Sequence, residues 1–164
     1  MKVLIIFFLL LTFLNAKKDF YYSFIDSSGT QISEKRKQSI IDGFDVLQSI
    51  RNLARDGKID EAYSQIKSFK EKNTIKILTS DIMLLFAELS LKKISKKIII
   101  NAEKELEDAI NSSKINEYDL PKAYMLLVDL KLETNKIDDA KYFAQIIMNN
   151  FDSEIGRASC RERV

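Results

Sequence analysis

The sequence predicts an all-α fold in which antiparallel helical hairpins stack as a short α-solenoid. Three observations carry this. Two six-residue stretches, Gly57-Lys58-Ile59-Asp60-Glu61-Ala62 and Asn135-Lys136-Ile137-Asp138-Asp139-Ala140, nearly repeat one another. Each lies between segments whose apolar residues recur every three or four positions, the period of a helix with one buried face. Alanines at 62, 102 and 140 then follow at near-regular intervals. A unit that recurs along a chain cannot bury its apolar face alone and stacks on its neighbours.

The ends are read apart from this body. Met1-Lys2 followed by the apolar run Val3 to Leu14, with Ala16 at the cleavage position and Lys17-Lys18 beyond, reads as a secretory signal peptide over 1–16. The run is too short for the roughly 20 residues of a spanning helix, so no membrane insertion is expected after cleavage. Residues 154–164, Glu154 to Val164, resemble a translated sequencing adapter. Arg157, Arg161 and Arg163 cluster there, against a body that uses lysine. This tail is expected to lack stable structure, and the native gene is expected to continue past Ser153.

Composition narrows the function. The net charge of +2 disappears once Lys2, Arg157, Arg161, Arg163, Glu154 and Glu162 are set aside, which leaves residues 17–153 formally neutral. A neutral body has no basic excess with which to hold nucleic acid or an anionic membrane. The chain has no histidine, and its single cysteine, Cys160, lies in the tail. That excludes a disulfide scaffold, a zinc site and a histidine-based triad for the body.

The elements follow in order. Phe20-Tyr21-Tyr22-Ser23-Phe24-Ile25, the turn signal Asp26-Ser27-Ser28-Gly29 and Thr30-Gln31-Ile32 make residues 17–33 an extended aromatic arm or a small β-hairpin. Residues 34–153 hold six helices. The first opens at Ser33-Glu34 and runs to Arg55. Gly43 within it sacrifices about 1 kcal/mol relative to alanine, which predicts a bend or a close contact there. The Gly57 turn leads to a second helix that ends near Lys72-Asn73. Ser80-Asp81 is expected to cap a third, which Lys92-Lys93-Ile94-Ser95-Lys96-Lys97 interrupts. The fourth carries Ala102, Leu106, Ala109 and Ile110. Leu120-Pro121 opens the fifth, where proline is tolerated in the first turn, and the sixth starts at Ile137.

In this arrangement Val46, Ile50 and Leu53 precede Ala62, with Ile66 and Phe69 after it. Phe86, Leu89 and Ser90 precede Ala102, with Leu106 and Ala109 after it. Tyr124, Leu127 and Val128 precede Ala140, with Ala144 and Ile147 after it. Three such units in register resemble tetratricopeptide repeats, over residues 43 to 152. The departures are spacings of 40 and 38 between the alanines, against about 34 in the family, Lys97 where Gly or Asn would stand, and no proline closing a unit. Longer loops near Asn73–Ser80 and Ser113–Glu117 would absorb the excess. The register places Ala102 where two helices approach most closely, and its neighbour Glu103 is expected to face solvent.

No residue set points to catalysis, a cofactor or a metal. Asp60-Glu61 and Asp138-Asp139 are adjacent on their helices, so their carboxylates diverge and cannot flank one substrate atom. Both pairs also suit the positive end of a helix dipole. Glu103 and Glu107 share a helix face, but no loop of oxygen ligands accompanies them to build a calcium site. The lysines at 92, 93, 96 and 97 read as a solvated turn. What the resemblance implies is a protein- or peptide-binding face built from the first helix of each pair. It would comprise Phe44, Leu47, Arg51 and Arg55; Leu84, Ala87 and Leu91; and Lys122, Met125, Asp129 and Leu132. Of these, Leu84 and Leu91 are expected to be covered by a neighbouring repeat. The function expected is that of an exported protein-interaction scaffold, in the periplasm of a bacterium. Its setting would be a cell-envelope or flagellar-motor assembly, since the chain also bears a faint likeness to the paralysed-flagellum scaffold proteins. The alternative is a docking arm of a larger exported enzyme.

Overall fold

The computed structural model describes residues 34–93 and 95–161. They form six helices: α1 (Glu34–Arg55), α2 (Ile59–Lys72), α3 (Thr79–Leu91), α4 (Lys96–Asn111), α5 (Leu120–Glu133) and α6 (Ile137–Arg161). Short 3₁₀ turns, Lys76–Leu78 and Glu117–Asp119, lead into α3 and α5. There is no strand among the described residues, and the all-α expectation holds. The leader over 1–16 and the aromatic arm over 17–33 lie outside the described residues. The packing considered below is that of the unit from Ile40 onward.

The twin turns have the backbone that their residue types demand. Gly57 has φ 79° and Asn135 φ 61°, both left-handed. At the first turn Gly57 N–H donates to the Ala54 carbonyl and Lys58 N–H to that of Leu53. At the second, Asn135 N–H donates to Leu132 and Lys136 N–H to Lys131. This paired bonding satisfies carbonyls that a helix end leaves open, and it requires one left-handed residue. Asp60 and Glu61, and then Asp138 and Asp139, fill the first turns of the following helices. Ser113, at φ 54°, ends α4 in the same way, with Ser113 N–H on Ile110 and Lys114 N–H on Ala109. The sequence reading did not anticipate that third turn, because serine is an uncommon left-handed residue.

From α2 onward each helix packs against the next, and α3 also touches α5. Helix α1 contributes Leu47 and Ile50 to the same core as Ala62, Phe86, Leu106 and Leu127. Ala62, Ala102 and Ala140 are all buried, at 0%, 0% and 2% exposure. A methyl side chain at these points lets helix axes come close. Helix α3 is buried nearly all round, through Ile82, Leu84, Leu85, Phe86, Ala87, Leu89 and Ser90. A helix with apolar residues on every side belongs at the centre of a packed group.

Two local expectations are corrected. Ser80 does not cap α3, which starts one residue earlier. Its buried hydroxyl instead donates to Asp119 Oδ2 at 2.5 Å and accepts from Asn116 N–H at 3.4 Å. It thereby holds the loop before α5 against the start of α3. The tail, expected to be unstructured, continues α6 as helix to Arg161. Extending an existing helix costs far less than nucleating one, and Arg, Ala and Glu propagate it well.

Gly43 makes the close contact that its position predicts. A Cβ built there would stand 2.2 Å from Leu78 Cδ1, and Leu78 is fully buried. Gly43→Ala should therefore lower stability by about 1 kcal/mol despite its better helix propensity, because the core must give way. In a Leu78→Ala background the same substitution should stabilise by up to about 1 kcal/mol. Urea denaturation of the four proteins closes this cycle, and equal effects of Gly43→Ala in both backgrounds would refute the contact. The same measurement serves for Ala102→Leu, expected to cost about 1–3 kcal/mol by overpacking. Lys104→Leu, at an exposed site two residues on, should stay within about 0.5 kcal/mol.

Candidate binding face and buried ion cluster

Helices α1, α3 and α5 are joined by side-chain ion pairs. Arg51 Nη2 of α1 lies 3.0 Å from Asp81 Oδ1 of α3. Glu88 Oε1 of α3 lies 2.6 Å from Lys122 Nζ of α5. Exposed pairs of this kind contribute little stability, at most about 1 kcal/mol each. Their value here is positional: they mark a row that runs α1, α3, α5.

The residues expected on this row divide into two groups. Arg55, Lys122, Met125, Asp129 and Leu132 are exposed, and Arg51 is half-buried. Phe44 is half-buried and packs on the core. Leu47 is not a surface residue; it is fully buried, while Val46, expected inward, is 39% exposed. Helix α1 is thus turned by about one residue, roughly 100°, from the expected register. The inward stripe is Ile40, Gly43, Leu47 and Ile50, set by the approach of Gly43 to Leu78. Leu84 is buried, as expected, Leu91 is partly covered, and Ala87 is buried as well. The open part of the row is therefore α5, where Met125 is 50% and Leu132 49% exposed.

Beneath this row lies a cluster that the sequence did not reveal. Lys131, in the last turn of α5, is 3% exposed, and so is Glu103 of α4. Lys131 Nζ is 3.0 Å from Glu103 Oε1, 3.0 Å from Glu107 Oε2 and 3.5 Å from Asp139 Oδ2. One ammonium thus meets three carboxylates. Glu103 is matched in return: Lys136 Nζ approaches Oε1 at 2.6 Å, and Thr134 Oγ1 donates to Oε2 at 2.9 Å. Among the described residues no buried side-chain polar atom lacks a partner. Glu103, expected to face solvent, is instead the acid at the centre of the contact between α4 and the α5–α6 turn.

The protonation equilibria follow from these contacts. Burial pushes the Glu103 carboxyl upward, but hydrogen bonds from Lys136, Lys131 and Thr134 outweigh it and hold the group below its usual range. Burial pulls Lys131 downward, yet its bonds to Glu107 and Glu103 raise it overall. Both groups are therefore more firmly charged in the folded protein than outside it.

A related clasp joins α2 to the segment just after α3. Lys93, like Lys131, stands nine residues before a buried alanine, and it pairs with Asp60 of α2. Its ammonium lies 5.7 Å from the centre of the Tyr63 ring. That ring stacks on Phe86 at 5.7 Å, and Lys70 sits over the Phe86 ring at 3.8 Å while pairing with Glu105. Beside the main cluster is a cleft of about 340 Å³ lined by Ile100, Glu103, Lys104, Glu107, Asp108, Asn111 and Lys136. Its lining mixes three acids with two lysines, and no group of carboxylates among the described residues is arranged to hold a metal ion.

Lys131→Met should destabilise by about 3–5 kcal/mol, since it leaves Glu103 buried with fewer partners. Glu103→Leu should cost less, because Glu107 and Asp139 still face the ammonium. The double variant should recover most of the loss. The pH dependence carries the same signature. A depressed Glu103 contributes stability above about pH 4.3 that is lost as pH falls through its folded value. A raised Lys131 contributes below about pH 10.4 and loses this as pH rises through its folded value. Urea midpoints measured from acid to alkaline pH should fall off less steeply at both ends in the double variant; an unchanged profile would mean that the cluster does not titrate with folding.

Compared with known proteins, the chain matches no family model, no curated protein and no solved structure.

Proposed function

We propose that this protein is an exported scaffold, acting in the bacterial periplasm, that binds another protein through the outer face of α1, α3 and α5. In this reading the six helices are three tetratricopeptide-like hairpins. Support comes from the twin left-handed turns, the three buried alanines, and the contact of α3 with α5 as well as with its own partner helix. The observation that carries the proposal is the row of Arg51–Asp81 and Glu88–Lys122 pairs. It makes three separate helices one continuous surface, ending on exposed Met125 and Leu132. A mixed apolar and charged surface of this kind suits protein recognition. The leader over Met1 to Ala16 carries the export part of the reading, and the setting is a cell-envelope assembly such as the flagellar motor.

Replacing Met125 or Leu132 by a photo-crosslinking residue in the native host tests this. Irradiation should yield a discrete adduct from both positions, in the envelope fraction, on a chain that begins at Lys17. Tyr142, somewhat more exposed on α6, is the control. No adduct at either position, or the same adduct from Tyr142, would refute the face. Recovery of the uncleaved chain from the cytoplasm would refute export.

A further inference from the structure

The charges on the outer row do not all cancel. Arg51 is matched by Asp81, and Lys122 by Glu88. Farther along α5, Asp129 and Glu133 have neither an ion pair nor a hydrogen bond among the described residues. They stand four apart, a spacing that sets like charges side by side on a helix. Met125 and Leu132 lie four before and three after Asp129, and both are about half exposed. Helical geometry places all four on one stripe about 12 Å long. This stripe pairs apolar surface with uncompensated negative charge. Covering it with an apolar ligand alone would bury the two carboxylates without partners, which is costly.

We propose that this stripe of α5 docks a basic amphipathic segment of the partner protein, whose apolar side chains cover Met125 and Leu132 while its lysines or arginines meet Asp129 and Glu133. The inference rests on the scaffold reading and names the chemistry of its partner. A cation is the group the site lacks. The Asp129 carboxyl is held above its usual range, first by its partial burial and then by the charge of Glu133. A ligand ammonium or guanidinium cancels the charge of Glu133 and, by favouring the carboxylate, offsets the burial. Elsewhere on the row Asp81 and Glu88 already hold Arg51 and Lys122, and Arg55, which among the described residues bonds only the Asn52 amide, is itself a cation.

The test uses the full chain and two fluorescent probes, a Leu/Lys amphipathic helical peptide and its Leu/Glu counterpart, titrated by anisotropy. The Leu/Lys probe should bind and the Leu/Glu probe should not. Asp129→Asn with Glu133→Gln should weaken the Leu/Lys probe roughly fivefold or more. Met125→Ser with Leu132→Ser should weaken it similarly. Glu71→Gln with Glu117→Gln removes the same charge from exposed sites elsewhere and should leave binding unchanged. Carboxylate NMR should show Asp129 titrating lower in the complex. Equal weakening by the control pair would overturn the proposal, as would an unmoved Asp129. Binding of the Leu/Glu probe, lost on Met125→Ser with Leu132→Ser, would overturn the basic partner but keep the scaffold face. No binding of either probe, with adducts at Met125 in the host, would do the same; absence of adducts as well would end both readings.

Discussion

The Lys131 ammonium is the constraint around which the second half of the molecule is arranged. Burying one charge costs several kcal/mol unless it is matched, and matching requires acids at fixed distances. Those acids come from α4 and α6, while Thr134 and Lys136, which complete Glu103, come from the turn between α5 and α6. Three elements must therefore hold their relative positions at once for the charges to close. Apolar packing by itself tolerates sliding, because one aliphatic contact resembles another. A directional ion cluster does not. The left-handed Asn135 serves this arrangement, since it returns the chain so that Lys136 reaches Glu103 and Asp139 reaches Lys131.

Much of the architecture was legible because it is written in local chemistry. Gly57 and Asn135 announce left-handed helix ends, the acidic pairs announce helix starts, and Leu120-Pro121 marks a first turn. All six helices follow from a three-four period that each carries alone. The cluster was not legible for the opposite reason. Glu103 and Lys131 are polar residues on amphipathic helices, and sequence spacing assigns such residues to solvent. Only a contact between positions 28 apart in the chain turns them inward. One signal was nevertheless present: Lys93 and Lys131 occupy the same place relative to the alanines at 102 and 140.

The outward positions were anticipated where a helix has one buried side and missed where it does not. Helix α5 obeys its period, so Lys122, Met125 and Asp129 face outward. Helix α1 does not, because the missing side chain of Gly43 draws a different stripe toward Leu78, which buries Leu47 and releases Val46. Periodicity finds the width of an apolar face; it leaves its centre uncertain by a residue when a glycine shifts the point of closest approach. In α3, with apolar residues on every side, the period says little about which positions remain open.

Taken two by two, as α1–α2, α3–α4 and α5–α6, the helices also gain an address from the lysine clasps. In each pair one residue follows the buried alanine directly: Tyr63, Glu103 and Lys141. The lysine of the next pair reaches toward that place, to an aromatic ring in one case and a carboxylate in the other. Interchanging the second and third pairs would bring Lys93 against Lys141, two like charges at a packed junction. The three stretches share a buried alanine but differ in the residue beside it. Recombination that exchanged these segments would conserve the helices and lose the joint.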